Sequence, residues 1–358
     1  MQKQTQQRIL SLDFFRGVTM FLLVAETTGL YNILGWTQFH HHAWNGLRFW
    51  DLIQPFFMFI VGVAMPISLA NREAKGNSYR QNWKHILKRC FILLLMGTGI
   101  QCAYNGKLVW ELWNVLAQLS ITILITYAIM KLNIKCQLAI SLVILIITDL
   151  TYRFFSVEGF NEPFVKDKNF GSWMDLILMG KINPGGGWVA INCIPTAAHT
   201  IWGAIAGQLL FDKSRKPLNK LKHILLWGIL FLVIGYGLDF AGITPIIKRI
   251  STVSFVFASG GWALLTLAFC FWLIDINKQD RIVKPFAIVG MNSILIYLLT
   301  QTVGAQWFNR FVGIFTGGIM QLVGFSEFLS SLITALIVLF LEWAFCWYLY
   351  KKSIFLKV

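Results

Sequence analysis

The stretch FHHHAWNGLRFWDLIQPFFMFIVG, from Phe39 to Gly62, decides the fold. Its second half is almost entirely apolar and continues to about residue 70, which is long enough to cross a hydrocarbon core of ~30 Å as one helix. Its first half contains three consecutive histidines, a Trp-Asn-Gly turn and the carboxylate of Asp51. The stretch therefore predicts a membrane helix that begins directly after a cluster of polar side chains.

The rest of the chain is equally apolar. Of its 358 residues, 56% are hydrophobic and 13% are charged, too few polar residues to cover a water-soluble globule of this size. We expect an all-α polytopic membrane protein, one domain over residues 1–358, with about 10 transmembrane helices. An eleventh or re-entrant helix at 306–325, which glycines interrupt, stays open. The ten predicted spans lie at roughly 10–33, 50–70, 85–105, 109–130, 136–155, 187–211, 223–242, 252–275, 284–302 and 328–350.

Lysine and arginine are distributed unequally over the loops between these spans. If the N-terminus is cytoplasmic, 21 of the 31 basic residues lie on the cytoplasmic side and nine on the other, with Arg16 inside the first span. This positive-inside pattern predicts that both termini are cytoplasmic. Anionic lipid headgroups then account for the net charge of +15 without a nucleic-acid partner. A basic loop that holds a phosphorylated ligand is the alternative.

Three charged residues lie in the first apolar run. Because this run carries Asp13, Arg16 and Glu26 and has no small-x-small cleavage site, it is expected to be a membrane helix rather than a signal peptide. Asp13 and Arg16 are three residues apart on one helical face, where they can pair or bind an anion. Glu26 follows Arg16 by ten residues, ~15 Å along the axis, which places it near the outer mouth.

An acid–base cluster is predicted at that mouth. His40, His41 and His42 lie on the same side as Glu26, and Asp51 begins the second span there. A histidine titrates near neutrality and can accept a proton from an attacking amine or hydroxyl when a carboxylate fixes its tautomer. Three adjacent histidines point in different directions, so no metal site is predicted.

Further polar residues fall within or between spans. Asn292 and Ser293, in the segment GMNSILIY, can either hold helices together or line a polar passage. The outward loop at about 156–186 mixes charges, aromatic residues and glycines and suits contact with a polar ligand. His199 and Glu342 are buried polar groups for which the sequence suggests no partner.

Several motifs together indicate a family. They are His-x-x-Trp-Asn-Gly (His41, Trp44, Asn45, Gly46), the following Asp51-Leu-Ile-x-Pro55 run, RILSLDFFRG, SFVFASGGWALLTLAFCFWLID (Ser254–Asp275), GMNSILIY and LYKKSIFLKV. With these motifs the chain resembles the transmembrane acyltransferases typified by lysosomal heparan-α-glucosaminide N-acetyltransferase, and their bacterial relatives even more closely. The likeness covers nearly the whole chain.

The resemblance implies an inner-membrane enzyme that takes acetyl-CoA from the cytoplasm and acetylates an amino sugar or glycan end on the periplasmic side. The family's catalytic histidine maps to His41. Two departures weaken the glucosaminide assignment. Many relatives have Gly-Val-Leu-Gln-Arg where this chain has Ala117 and Gln118, and an acidic Asp-Pro-Glu-Gly turn where it reads Asn-Pro-Gly-Gly at 183–186.

The resulting hypothesis assigns nine residues. Glu26 or Asp51 would orient His41, Trp44 and Trp188 would stack on the acceptor beside Asn45, and the remaining three would line the acetyl-CoA cavity. The assigned residues are His41, Glu26 and Asp51 for catalysis, Trp44, Asn45 and Trp188 for the acceptor, and Arg16, Asn292 and Ser293 for the donor.

The sequence leaves several alternatives open. Direct transfer and an acetyl-histidine intermediate are both allowed. The acceptor group could be an amine or a hydroxyl, as in O-acetylation of a sialic acid. A sugar permease or a component of polymer export would need no acyl donor. Whether the chain acts alone or as a homodimer is also open.

Overall fold

The computed structural model describes residues 9–356, and within that range the chain is helical. The described part contains no β-strand and one isolated antiparallel bridge, between Asn45 and Ile247. The prediction of an all-α protein is confirmed. The α-helices are α1 Leu10–Thr27, α2 Leu30–Leu34, α3 Ile53–Glu73, α4 Tyr79–Asn105, α5 Val115–Ile129, α6 Ile134–Phe154, α7 Phe170–Met179, α8 Cys193–Phe211, α9 Pro217–Phe240, α10 Val253–Cys270, α11 Val283–Met291, α12 Ser293–Leu299, α13 Asn309–Leu322 and α14 Glu327–Lys351.

Six helices among the described residues are long and apolar enough to cross a membrane, so the chain is a multi-pass membrane protein. A seventh span is obtained if α11 and the helix Ser293–Leu322 are counted as one bent pair. The expected count of ten is not reached. The predicted ranges are helical, but three of the helices are too short or too polar to be counted: α1 carries three charged residues, α5 has only 15 residues, and α8 contains Thr, His, Gln and Gly. The six are Phe49–Glu73, Tyr79–Asn105, Ile134–Phe154, Pro217–Phe240, Val253–Ile276 and Glu327–Lys351.

The predicted span 284–302 is wrong as a continuous helix. The chain bends by 72° at Asn292, whose backbone leaves the helical region. The stretch 306–325 is not a separate helix either, because a π-helical segment, Thr300–Phe308, joins α12 to α13 without a break. The outward loop at 156–186 likewise contains a helix, α7, whose Asp175 accepts hydrogen bonds from Trp113 Nε1 and Ala190 N at 2.7 and 2.9 Å.

The helices α3 and α8 form the tightest pair in the bundle and run parallel. A Cβ atom on Gly62 would lie 2.1 Å from the Thr200 carbonyl oxygen, and one on Gly203 would lie 2.2 Å from that of Phe59. Because only glycine permits this backbone approach, the starts of the two helices are held side by side. The loops that precede them, which hold His41 and Trp188, are therefore neighbours.

The two ends of the bundle differ in what they present. The "His41 end" is where α1, α4, α6 and α9 finish and where α3, α5, α8 and α10 begin. The opposite end, the "Arg72 end", holds the α3–α4 and α8–α9 connections. Three basic residues counted as cytoplasmic, Lys3, Arg8 and Lys357, lie outside the described residues. The orientation of the termini remains a prediction.

Candidate active site

The site is centred on His41 and Asp51. His41 Nδ1 lies 2.9 Å from Asp51 Oδ1, and the other carboxylate oxygen accepts hydrogen bonds from the backbone N–H groups of His42 and Arg48 at 3.2 and 3.0 Å. Asp51 is buried, with 1% of its side chain exposed. Since a carboxylate only accepts hydrogen bonds, we assign the proton to Nδ1, which leaves the Nε2 lone pair free. The predicted orienting role of Asp51 fits this geometry.

A lysine that the sequence did not point to completes this group. Lys248 Nζ lies 3.1 Å from His41 Nδ1 and 3.6 Å from Asp51 Oδ1, with only 6% of its side chain exposed. The Trp-Asn-Gly turn brings it there, because Asn45 bridges Ile247 and Gly46 N donates to the Ile246 carbonyl at 2.8 Å. At φ = +123°, Gly46 has a conformation that L side chains rarely adopt.

Burial and neighbouring charges set the protonation of the site. Burial of the ring, followed by the positive charge of Lys248, lowers the pKa of His41 to about 4, although 39% of its side chain remains open to a cavity. Burial also lowers the pKa of Lys248 to about 8, against the opposing attraction of Asp51. At neutral pH the site therefore combines a neutral imidazole with a lysine that is still largely an ammonium.

Trp188 forms one wall beside His41. The two rings meet edge to face with centroids 5.4 Å apart, and the Lys248 and Arg249 cations lie 5.2 and 5.3 Å from the Trp188 ring. Arg249 also donates to the Gly186 carbonyl and, at 3.4 Å, to that of His42. The Asn-Pro-Gly-Gly turn, which has no carboxylate of its own, is thus held by an arginine.

His41 opens onto a cavity of about 310 Å³, the "His41 cavity". Its walls are mostly polar or aromatic side chains from α1, α4, α12 and the loops at this end. Gln54 also lines it and donates to Gln118. The lining includes Glu26, His41, Trp50, Gln54, Gln101, Tyr104, Trp113, Asn114, Asn183, Trp188, Lys248, Tyr297 and Gln301.

Two further cavities lie next to this one in the direction of the Arg72 end. The "Arg16 cavity", about 170 Å³, shares Phe57, Val115 and Tyr297 with the His41 cavity. It is lined by Arg16 and Ser293, two of the three residues assigned to the donor. A smaller cavity near Arg72 and Asn82 shares Met65, Ser68 and Arg89 with it. The three cavities together form a line from one end of the bundle to the other.

Glu26 lies on the same side of the bundle as the histidines, as the sequence predicted. It lines the His41 cavity and a small adjoining cavity of about 100 Å³ with Tyr31 and Phe39. Among the described residues, its carboxylate makes no hydrogen bond to His41, because Asp51 already occupies Nδ1. Glu26 therefore faces the space where a ligand would lie and does not orient the imidazole.

Three other predicted residues are held in structural positions. Trp44 lies outside the cavity wall, since its Nε1 donates to the Phe164 carbonyl at 2.7 Å and its ring packs against Gly187. Asn45 serves through its backbone bridge. Asn292 donates to the Ile354 carbonyl at 2.9 Å and accepts from Leu356 N at 3.1 Å, so it ties the end of the described chain to the α11–α12 bend.

Both unassigned buried groups can now be placed. His199 Nε2 lies 2.8 Å from Ser259 Oγ in the core, a partner that the sequence did not suggest. Glu342 is 3% exposed, and neither of its carboxylate oxygens has a hydrogen-bond partner within residues 9–356.

The residues that sequence reasoning missed are Lys248 and the polar cavity wall of Gln101, Tyr104 and Gln301. Tyr104 donates to Gln301 across the cavity. One signal could have found Lys248. It is one of the few basic residues on the predicted outer side. A basic residue that departs from the charge bias in this way is expected to have a carboxylate near it.

The fold and the site define a multi-pass helical membrane protein with an enzyme-like histidine–carboxylate–lysine centre. The chain belongs to the family of heparan-alpha-glucosaminide N-acetyltransferase catalytic domains, whose model matches residues 8–235. The resemblance predicted from the motifs is thereby confirmed. Lys248 lies beyond the matched residues.

Two curated relatives extend the similarity along the chain. Heparan-alpha-glucosaminide N-acetyltransferase of Homo sapiens is 24% identical over 416 aligned residues, which cover 98% of this chain and 60% of that protein. The protein of the same name from Mus musculus is 24% identical over 362 residues, covering 83% of the chain and 54% of the relative. The chain thus spans little more than half the length of these relatives.

Proposed function

We propose that this protein is a membrane acetyltransferase that uses acetyl-CoA to acetylate an amino sugar or a glycan end. The observation that carries the proposal is the line of cavities between the Arg72 end and His41. It would let a donor enter at one end of the bundle while an acceptor is bound at the other. Family membership supports the same reaction type.

The donor would bind with its phosphates toward the Arg72 end. Arg16 and Arg89 line the Arg16 cavity, and Arg72 lies next to it, with its Nε donating to Asn82 Oδ1 at 3.0 Å. Arg89 Nε is buried and has no hydrogen-bond partner in the described part of the chain. Guanidinium groups bind phosphate oxygens through charge-assisted hydrogen bonds, so these residues suit the phosphates of coenzyme A.

His41 would act as the general base at the acceptor. Nε2 accepts the proton of the amine as its nitrogen attacks the thioester carbonyl carbon, the C–N bond forms, and the C–S bond breaks. The imidazolium then returns the proton to the departing thiolate. The ammonium of Lys248 would stabilise the negative charge that develops on the carbonyl oxygen. Attack by Nε2 itself, giving an acetyl-histidine, is the alternative route.

The topology that fits this reaction has both termini in the cytoplasm of a cell with an inner membrane. The helices α1, α5 and α8 run between the same two ends as the six long helices. With the bent pair of α11 and Ser293–Leu322 counted as one span, this supports ten crossings in all. The excess of basic residues at the Arg72 end supports a cytoplasmic location for that end. The His41 end would then face the periplasm.

The acceptor would bind in the His41 cavity. Trp188 offers an aromatic face for a sugar ring, and Glu26, Gln101 and Asn183 offer hydrogen bonds to its polar edge. The absence of carboxylates from the Asn-Pro-Gly-Gly turn favours a second candidate, O-acetylation of a sugar such as a sialic acid. Both candidates use the same base and the same donor.

The test uses proteoliposomes of known sidedness and labelled acetyl-CoA. Acetyl-CoA supplied at the Arg72 end should release free coenzyme A only when a sugar acceptor is present at the His41 end, and mass spectrometry should locate the label on nitrogen or oxygen. His40→Ala is the matched control for His41→Ala. Sugar uptake without acetyl-CoA consumption would identify a permease and overturn the proposal.

A further inference from the structure

We propose that a slot on the outside of the bundle, separate from the line of cavities, binds one anionic phospholipid. The slot encloses about 240 Å³ between α6 and α9, with α8 as its floor. None of its lining residues lines the three adjoining cavities between the two ends. The inference does not depend on the proposed function.

The inner part of the slot is apolar and reaches deep into the bundle. Its walls include Leu138 from α6 and Phe231 from α9, and its floor includes Trp202 and Ala206 from α8, which are only 3% and 4% exposed. Trp202 is fixed there by a hydrogen bond to Ser141 Oγ at 3.0 Å. Empty space against close-packed apolar atoms loses dispersion contacts, so an acyl chain is the occupant of suitable chemistry in a bilayer.

One end of the slot is polar and basic. Asp212, Arg215 and His223 line it where α8 ends and α9 begins, at the Arg72 end of the bundle. Arg215 Nε donates to Asp212 Oδ2 at 3.0 Å, and His223 Nδ1 lies 2.6 Å from the Asn219 carbonyl oxygen. The remaining guanidinium N–H groups and His223 Nε2 stay available to a phosphate.

The surrounding charge favours an anionic headgroup over a neutral one. The α8–α9 connection and the first two turns of α9 carry four lysines besides Arg215, namely Lys213, Lys216, Lys220 and Lys222. Basic residues beside a membrane surface attract anionic lipids. A slot with an apolar interior and a basic mouth therefore matches a phospholipid with one acyl chain inside and its phosphate at Arg215.

The test is native mass spectrometry of the full chain released from detergent micelles containing phosphatidylglycerol or phosphatidylcholine. One phosphatidylglycerol should be retained, with about fivefold higher occupancy than phosphatidylcholine. Arg215→Gln should remove that preference, whereas Lys75→Gln, an equal change of charge at an exposed residue of the α3–α4 connection, outside the slot, should keep it. Equal retention of both lipids, unaffected by Arg215→Gln, would overturn the proposal.

Two further variants test the apolar part. Leu138→Trp should reduce retention of both lipids, whereas Leu142→Trp, one turn along on the exposed side of α6, should not. If Leu138→Trp fails to fold, Trp227→Ala opens the slot at a residue that is 41% exposed and should also reduce retention.

The alternative occupants have distinct outcomes. A concentration-dependent dimer that Leu138→Trp abolishes, with no lipid retained by the parent chain, would assign the slot to a second copy and contradict the proposal. Complete displacement of phosphatidylglycerol by glycerol 3-phosphate would show that only the phosphate is bound, and would contradict it equally.

Discussion

The α3–α8 pair and the histidine site are adjacent but are built in different ways. The helix pair is held by backbone approach at glycines such as Gly62 and Gly203, which lie against backbone atoms of the facing helix. The site is assembled from loops before α3, before α8 and before α10, held by hydrogen bonds and charges around Asp51. A rigid apolar frame thus positions loops whose own order comes from polar contacts.

The largest effect is expected from the site. His41→Ala should lower turnover by roughly 10²- to 10⁴-fold, because it removes the positioned base, while donor binding changes little. Steady-state release of coenzyme A measures turnover, and equilibrium binding of acetyl-CoA measures donor binding. His40→Ala should do much less, since no hydrogen bond links its ring to Asp51. Equal losses in the two variants would mean that the loop as a whole matters and the base does not.

Substitutions in the α3–α8 pair should lower the stability of the protein more than they change the chemistry of the site. Gly203→Val places a side chain against the Phe59 carbonyl and should lower the free energy of unfolding by about 1–3 kcal/mol or more. Thermal unfolding in detergent measures this change. Gly99→Val is the matched control, because a Cβ there meets nothing within 4 Å. Similar unfolding temperatures for both variants would contradict the close approach of α3 and α8.

The protonation of the site predicts a pH profile. Below its pKa His41 is an imidazolium and accepts no proton, so kcat/KM should rise with pH through about 4 and fall above about 8 as Lys248 loses its charge. Because Lys248 lowers the pKa of His41, Lys248→Met should move the acid limb upward, toward 6.5, and remove the alkaline limb. Lys166→Met, an equal change of charge at an exposed residue, should leave both limbs in place. If the acid limb does not move in Lys248→Met, Lys248 does not influence the pKa of His41.

The smallest effects distinguish two tryptophans. Trp44→Phe loses the hydrogen bond to the Phe164 carbonyl and should cost about 1 kcal/mol of stability with an unchanged acceptor KM. Trp188→Phe should instead raise the acceptor KM by about threefold, because a smaller ring stacks less well and holds Lys248 less firmly. The melting temperature and the acceptor KM, both measured for each variant, decide which tryptophan contacts the acceptor. A raised KM in Trp44→Phe would restore its predicted role in stacking.

The helices were more predictable than the site because each of them corresponds to one continuous run of apolar residues. Ten runs of apolar residues predicted helices that the structure contains, although the bend at Asn292 depends on hydrogen bonds to Ile354 and Leu356, more than sixty residues away. His41 and Asp51 are only ten residues apart, and the sequence offered Asp51 and Glu26 as alternative partners of the imidazole. The fold brings Asp51 to it. Lys248 lies in an ordinary loop, and only the folded chain brings it to His41. Trp44 and Asn45 belong to a motif that indicated the family, and in the structure Asn45 and Gly46 pair with the segment directly before Lys248.

The bridge between Asn45 and Ile247 joins segments that the ribosome makes at different times. His41 precedes Lys248 by 207 residues, so at about 5–20 residues per second roughly 10–40 s pass between their syntheses. The imidazole and Asp51 can meet soon after α3 has entered the membrane, whereas the lysine arrives only once α9 has been inserted. A nascent chain arrested before α9 would carry a histidine–aspartate pair without its cation, and the protein would acquire its complete centre late in biogenesis.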